Sequence, residues 1–196
     1  ITGINRAERA GATELFATGY ATLSLLLANL AFHRAAAYYR RLALHYLDHD
    51  ANLAHRTYAL EMISFTLFVN GDWQAAGDVI SQAVTQAEQA ARWRSSLELQ
   101  LLAAISFGFP GNYRAGLAQA SSVLPRACEI GDVVVQAWSL LIQAEFYLHV
   151  DADPTRRARP LLQQLQALPS NRLNKSEHFG TYSGLAAVAL RSGDTT

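Results

Sequence analysis

In the stretch HYLDHD, residues 45 to 50, two histidines stand four positions apart with Asp48 and Asp50 beside them. That spacing puts His45 and His49 on one face of a helix, as a zinc-binding pair requires. A catalytic zinc also needs a third ligand and typically a general base, and the chain holds no HExxH pattern. The segment therefore reads as a solvated helix end, where imidazoles complement the helix dipole and Asp50 or Asn52 caps the helix that follows. No metal is expected. His33, His55, His149 and His178 are scattered, and nothing pairs them with a nucleophile. PTRRARP, residues 154 to 160, carries three arginines at a helix opening. It is an anion or acidic-peptide contact or, the preferred reading, a charged solvent face whose arginine stems cover apolar neighbours. The single Cys128 cannot close an internal disulfide and reads as a small buried hydrophobe within a helix. There is no GxxxxGK[ST] or GxGxxG phosphate loop, and the glutamates are too dispersed for an acid–base pair. Neither a cofactor nor an enzymatic activity is expected.

The chemistry must then lie in shape. With 196 residues, 51% of them hydrophobic and 16% charged, the chain can bury a sizeable core. Sixteen basic and sixteen acidic residues cancel, so no global field recruits nucleic acid or an anionic membrane. The apolar run LSLLLANLAF, residues 23 to 32, falls well short of the roughly 20 residues a membrane span needs. A cytoplasmic location, with no membrane partner, is the expectation. Because the chain begins at Ile1 and ends in mid-pattern, it is expected to be a piece of a longer polypeptide.

Self-similarity organises the rest. Gly71, Asp72, Trp73 and Ala76 fall, at a shift of 40, on Gly111, Asn112, Tyr113 and Gly116. The same shift upstream gives Ala31, Phe32, His33 and Ala36, a weaker copy. Downstream, two extra residues bring Asp153, Pro154 and Ala158 into place, and Gly193 with Asp194 opens a fifth copy. Between these turns apolar residues recur three and four apart and no strand-like alternation appears. The spacing predicts helices over 9–30, 33–48, 52–70, 73–91, 95–108, 112–129, 132–150, 154–167 and 175–191. Glycine at each turn supplies a left-handed residue, and the Asp or Asn after it is expected to cap the next helix through its side chain.

Within each first helix the position of closest approach carries Ser24, Ser64, Ala104 or Ala144, all small. Three residues later, Leu27, Leu67, Phe107 and Tyr147 are expected to fill the space between hairpins. A hairpin of this kind cannot bury its apolar face alone, so copies stack.

SFTLFVNGDWQAA (64–76) and AISFGFPGNYRAG (104–116) resemble tetratricopeptide-type repeats, with a small residue, an aromatic, Gly-Asp-Tyr at the turn and Ala beyond. The unit here is about 40 residues rather than 34, and the closing proline is mostly absent. Units opening like GDVVVQAWSLLIQAE (131–145) are similar to the repeat tails of bacterial adenylate or guanylate cyclase-like ATPases and of ATP-binding regulators with LuxR-type domains. The resemblance implies an all-α fold, an α-α superhelix forming a right-handed solenoid of about 40-residue hairpins, as one domain over 1–196. It also implies a concave groove lined by the first helices. Projected onto this chain, the groove receives Thr18, Ala21 and Leu25; Tyr58, Glu61 and Phe65; Glu98, Leu101 and Ile105; and Trp138, Leu141 and Glu145. Aromatic anchors with three carboxylates suit a peptide or partner helix carrying basic side chains. The expected function is a non-enzymatic protein-interaction or regulatory scaffold from a signalling or transcription-regulatory protein. The alternative is a sensor that closes around a small-molecule effector. Dimerisation through faces that terminal repeats leave uncovered is a further expectation.

Overall fold

The computed structural model describes residues 15–48, 52–150 and 153–193. Among them there is no strand, and the helices are α1 Phe16–Asn29, α2 His33–Leu47, α3 Leu53–Val69, α4 Trp73–Gln89, α5 Trp93–Gly108, α6 Tyr113–Glu129, α7 Val133–Val150, α8 Pro154–Gln166 and α9 Lys175–Ser192. A short 3-10 turn, Ser170–Arg172, precedes α9. The fold is all-α. Helix ends agree with the sequence spacing to within about two residues. The part of the first expected helix before Leu15 lies outside the described residues.

The chain divides into two compact units, residues 1–99 and 100–196, the division falling inside α5. In the first unit α1 packs on α2 and α3 on α4, while α1 and α2 also meet α3. Phe16 meets Tyr46 edge-on at 5.0 Å, and Tyr20 stacks on Tyr39 at 5.9 Å, joining α1 to α2. In the second unit α6 packs on α7, α7 on α8, and α9 on both α7 and α8. Its core gathers Leu140, Ala144, Leu148, Leu162, Leu165 and Val188, each withdrawn from water. Burial of a leucine of this kind contributes about 2 kcal/mol.

Close helix approach rests on the small residues. Ser24, Ser64 and Ala104 are fully buried and Ala144 is 1% exposed. Opposite them stand equally small residues of the second helices: Ser24 Oγ donates to the Ala36 carbonyl at 2.9 Å, and a Cβ added to Gly116 would sit 2.6 Å from the Ala104 carbonyl oxygen. Leu67 is buried as expected, whereas Phe107 is 43% exposed and does not fill a gap between hairpins. The ring of Phe146 lies against Gly108 and Gly116.

The turns recur more often than the sequence signal. Between α1 and α7, residues with positive φ occur at Ala31 (61°), Gly71 (78°), Ala91 (52°), Gly111 (90°) and Gly131 (68°). Each carries the same pair of backbone bonds, for example Gly71 N–H to the Phe68 carbonyl and Asp72 N–H to the Leu67 carbonyl, both at 3.0 Å. This is the Schellman arrangement, used between helices of a pair and between successive pairs alike. The Asp and Asn after the turn do less than expected. Asp72 and Asn112, with ψ of 66° and 56°, make no side-chain cap, because capping calls for a more extended backbone. Asn52, with ψ of 106°, does cap, accepting from Ala54 and His55, and Asp132 accepts from Val134 and Val135.

By length and composition α7, of 18 residues and mean hydropathy 1.2, is apolar enough to cross a membrane, unlike the run at 23–32. More than half of it is buried against neighbouring helices, as the central helix of its unit would be.

Alanine in the left-handed region is strained by about 1–2 kcal/mol, part of which glycine gives back as unfolded-chain entropy. Ala91→Gly is expected to raise stability by about 0.5–1 kcal/mol in urea unfolding, while Gly111→Ala, which meets open space but keeps its φ of 90°, lowers it by a similar amount. Equal and negligible effects from both would show that these turns carry no strain.

Candidate functional site

The surface the sequence nominated divides into residues that face solvent and residues that do not. In the first unit Tyr58, on α3, is 36% exposed, and its hydroxyl accepts from Thr22 Oγ1 of α1 at 3.4 Å. Phe65 is half-buried, as are Thr18 and Leu25, while Ala21 is buried. Glu98 is half-exposed and already paired, accepting from Arg94 Nε at 2.9 Å. Glu61 is only 9% exposed. Burial foremost, then the negative charge of Glu98, pushes its carboxyl up to about 7 against an opposing pull from Arg92. A group half-protonated near neutrality is not a fixed anion for a basic side chain.

The second unit gathers three of the nominated residues around one opening. A cleft of about 580 Å³ is lined by Ile105 of α5, Leu141 and Glu145 of α7, and Gly180, Ser183 and Ala187 of α9. Phe109 and Tyr113 close one side with His149. Tyr113 and His149 stack nearly parallel at 4.4 Å, and His149 Nε2 stands 3.4 Å from Glu145 Oε1. The wall is therefore largely apolar, with a carboxylate, an imidazole and a phenol along one edge. Gly180 gives the cleft depth, since a Cβ there would meet Leu141 at 2.6 Å. Leu101 is 2% exposed and belongs to the packing, not to this wall.

Trp138 is 41% exposed, but its ring nitrogen is engaged: Nε1 donates to Glu177 Oε1 at 2.6 Å. Glu177 also accepts from the Asn174 N–H at 2.7 Å and from Ser176 Oγ at 3.1 Å, completing a capping box at the start of α9. Burial alone would raise this carboxyl, yet these donors, with the backbone N–H of Glu177 itself, outweigh it and hold it below the usual carboxylate range. Trp138 thus fastens α7 to the N-terminus of α9.

The projection stopped at the fourth hairpin, and so missed the α9 residues. A further shift of 42 carries Trp138, Leu141 and Glu145 onto Gly180, Ser183 and Ala187, the cleft-lining residues. His149 was detectable only as the residue four after Glu145, a spacing that brings two side chains together on a helix. Cys128 is exposed, correcting the reading of a buried hydrophobe; it lies in the last turn of α6, two residues before the C-cap Ile130. His45 and Asp48 are exposed at the end of α2, and His49 and Asp50 lie outside the described residues. Among the described residues no three His, Cys, Asp or Glu side chains converge as a metal site would need. In PTRRARP, Arg157 lies over the Tyr147 ring at 5.4 Å, and Arg159 donates to Ser192 Oγ at 3.3 Å.

Compared with models of known protein families and with curated proteins, the chain matches none.

Two substitutions separate these carboxyls. A raised carboxyl withdraws stability as pH climbs from its unfolded value near 4.5 through about 7, because the folded state must hold a proton the unfolded state has released. Glu61→Gln should therefore stabilise by about 1–3 kcal/mol at pH 8 and much less at pH 5, read from urea midpoints. A pH-independent change would mean that Glu61 does not titrate in this range. Trp138→Phe removes one donor from a depressed carboxyl, so its loss, about 1–2 kcal/mol, should be present at neutral pH and fade once acid protonates Glu177.

Proposed function

We propose that the chain is a non-catalytic binding module of tetratricopeptide-like superhelical type, whose contact surface in the second unit is the cleft between α5, α7 and α9. The observation that carries this reading is the convergence on one opening of Ile105 and Glu145, from the same position of successive first helices, with Leu141, one turn before Glu145. Supporting it are the even recurrence of the turns and the small-on-small helix crossings, both of which belong to stacked helical hairpins. The occupant that fits is a peptide offering an apolar anchor to Ile105, Leu141 and Phe109, with a basic or hydrogen-bonding group toward Glu145 and His149. A scaffold or regulatory segment of a multidomain signalling protein is the setting in which such a module works.

A second reading, a sensor for a small-molecule effector, is favoured by the volume of about 580 Å³ and by the mainly apolar wall with a few polar groups. Drug-sized ligands occupy sites of roughly 300–1,000 Å³ built in this way.

Ser183→Trp fills the cleft from an exposed helix position, and Glu145→Lys reverses the charge at its edge. Against a displayed library of aromatic and basic peptides, the unaltered chain should enrich ligands that both variants bind at least about tenfold more weakly, with melting temperatures unchanged. Enrichment that both variants retain would place binding elsewhere. A library of small amphiphilic molecules, giving shifts where the peptides give none, would select the sensor reading.

A further inference from the structure

The cleft between α5, α7 and α9 holds a charge that the repeat itself does not require. Shifts of 40 carry Glu145 back onto Ile105, Phe65 and Leu25, and a shift of 42 carries it forward onto Ala187, so the other first helices put an apolar residue at this position. The Glu145 side chain is 59% exposed. Its one hydrogen-bonding partner among the described residues is His149, at 3.4 Å, which leaves most of the acceptor positions of the carboxylate open. Among the described residues that line the cleft Glu145 is the one carboxylate, and none is lysine or arginine. A lone carboxylate beside the stacked rings of Tyr113 and His149 favours a cation over a neutral or anionic group.

Beside this charge the wall is apolar. Leu141 stands one helical turn before Glu145, about 6 Å along α7. Two positions of an extended peptide span about 6.6 Å and put both side chains on one face. A helix fits less well: a groove wide enough for one about 10 Å across would, at a cleft volume of about 580 Å³, be only roughly 7 Å long, little more than a turn. The cleft also stays open, with Phe109 60% exposed at its rim, whereas a site for a free small molecule encloses most of its ligand.

Taking the cleft as the contact surface, we infer that it reads an extended peptide segment carrying an apolar side chain and an arginine or lysine two positions apart. The apolar side chain seats against Leu141 and Ile105, and the basic one pairs with Glu145.

The probe is a short Gly-Ser peptide carrying Phe and Arg two positions apart, labelled with a fluorophore and titrated with the whole chain. It should bind at least about threefold more tightly than the same peptide with neutral citrulline in place of arginine, and than peptides with Phe and Arg adjacent or four apart. Glu145→Gln should erase the difference between arginine and citrulline at an unchanged melting temperature, and Ser183→Trp should abolish binding of every peptide in the set. Equal binding of the arginine and citrulline peptides, or of the three spacings, blocked in each case by Ser183→Trp, would overturn the inference and leave the cleft as the contact surface. Binding of 2-naphthylmethylamine where no peptide binds would do the same. Binding that Ser183→Trp leaves intact, or no binding by any of these probes, would overturn the inference and the cleft together.

Discussion

The structure depends on how closely two helix backbones can approach. Ser24, Ser64, Ala104 and Ala144 are small and withdrawn from water; Ser24 meets Ala36 and Ala104 meets Gly116, and Ala76 and Ala158, at the corresponding positions of their hairpins, are equally small and equally buried. Serine at such a point brings a hydroxyl into a dry interface, where an unmade hydrogen bond costs about 1–3 kcal/mol. The chain meets this demand in two ways. Ser64 Oγ turns back to the Leu60 carbonyl at 2.7 Å, within its own helix, while Ser24 Oγ reaches across to the Ala36 carbonyl at 2.9 Å. Ser139 does the latter again between α6 and α7, donating to the Ala120 carbonyl at 2.8 Å. The hydroxyls across the crossings fix rotation of one helix on the other, which methyl groups cannot do.

Equal turns impose equal helices. From α1 to α7 the left-handed residues stand at 31, 71, 91, 111 and 131, 20 or 40 residues apart, and α3, α4 and α6 each have 17 residues. At 1.5 Å per residue that is about 25 Å of helix in each layer. The glycine turns at 71 and 111 were legible because glycine is the residue that enters this conformation freely. Ala31 and Ala91 were not legible as left-handed, since alanine carries no such preference. The bonds from Phe32 N–H to Leu27 and from Arg92 N–H to Ala87 hold the backbone there, and bonds between main-chain groups leave no trace in residue identity.

The site shows the same division between what side-chain type encodes and what environment decides. Position in the hairpin fixes which way a residue points, so Ile105, Leu141 and Glu145 could be nominated together by projecting the tetratricopeptide-type pattern that the chain resembles. Depth is another matter. Leu101 occupies the equivalent position one unit earlier than Leu141, yet Leu101 is buried and Leu141 opens on the cleft. The small residues Gly180, Ser183 and Ala187 leave space beside Leu141, and it was in α9, beyond the four projected hairpins, that this space was made. Trp138 likewise kept an exposed ring face, but a tryptophan N–H that reaches a carboxylate becomes a fastener whatever its ring does.

Glu61 and Glu177 are the same residue type, both nearly withdrawn from water, and they are driven in opposite directions. The difference lies in what faces each carboxylate. Glu177 receives two side-chain donors and a backbone N–H, and sits at a helix N-terminus whose dipole also favours its charge. Glu61 faces the negative charge of Glu98, and the pull from Arg92 does not compensate for burial. By linkage, Glu177 adds stability once pH rises out of the acid range, and Glu61 removes it as pH rises from about 4.5 through about 7. The two effects leave a window of greatest stability between the carboxylate range and neutrality, below the pH at which Glu61 is fully charged. Near pH 7 the first unit thus holds a buried carboxyl close to its midpoint, so a displacement of Arg92 or Glu98 changes the stability of that unit without touching its core.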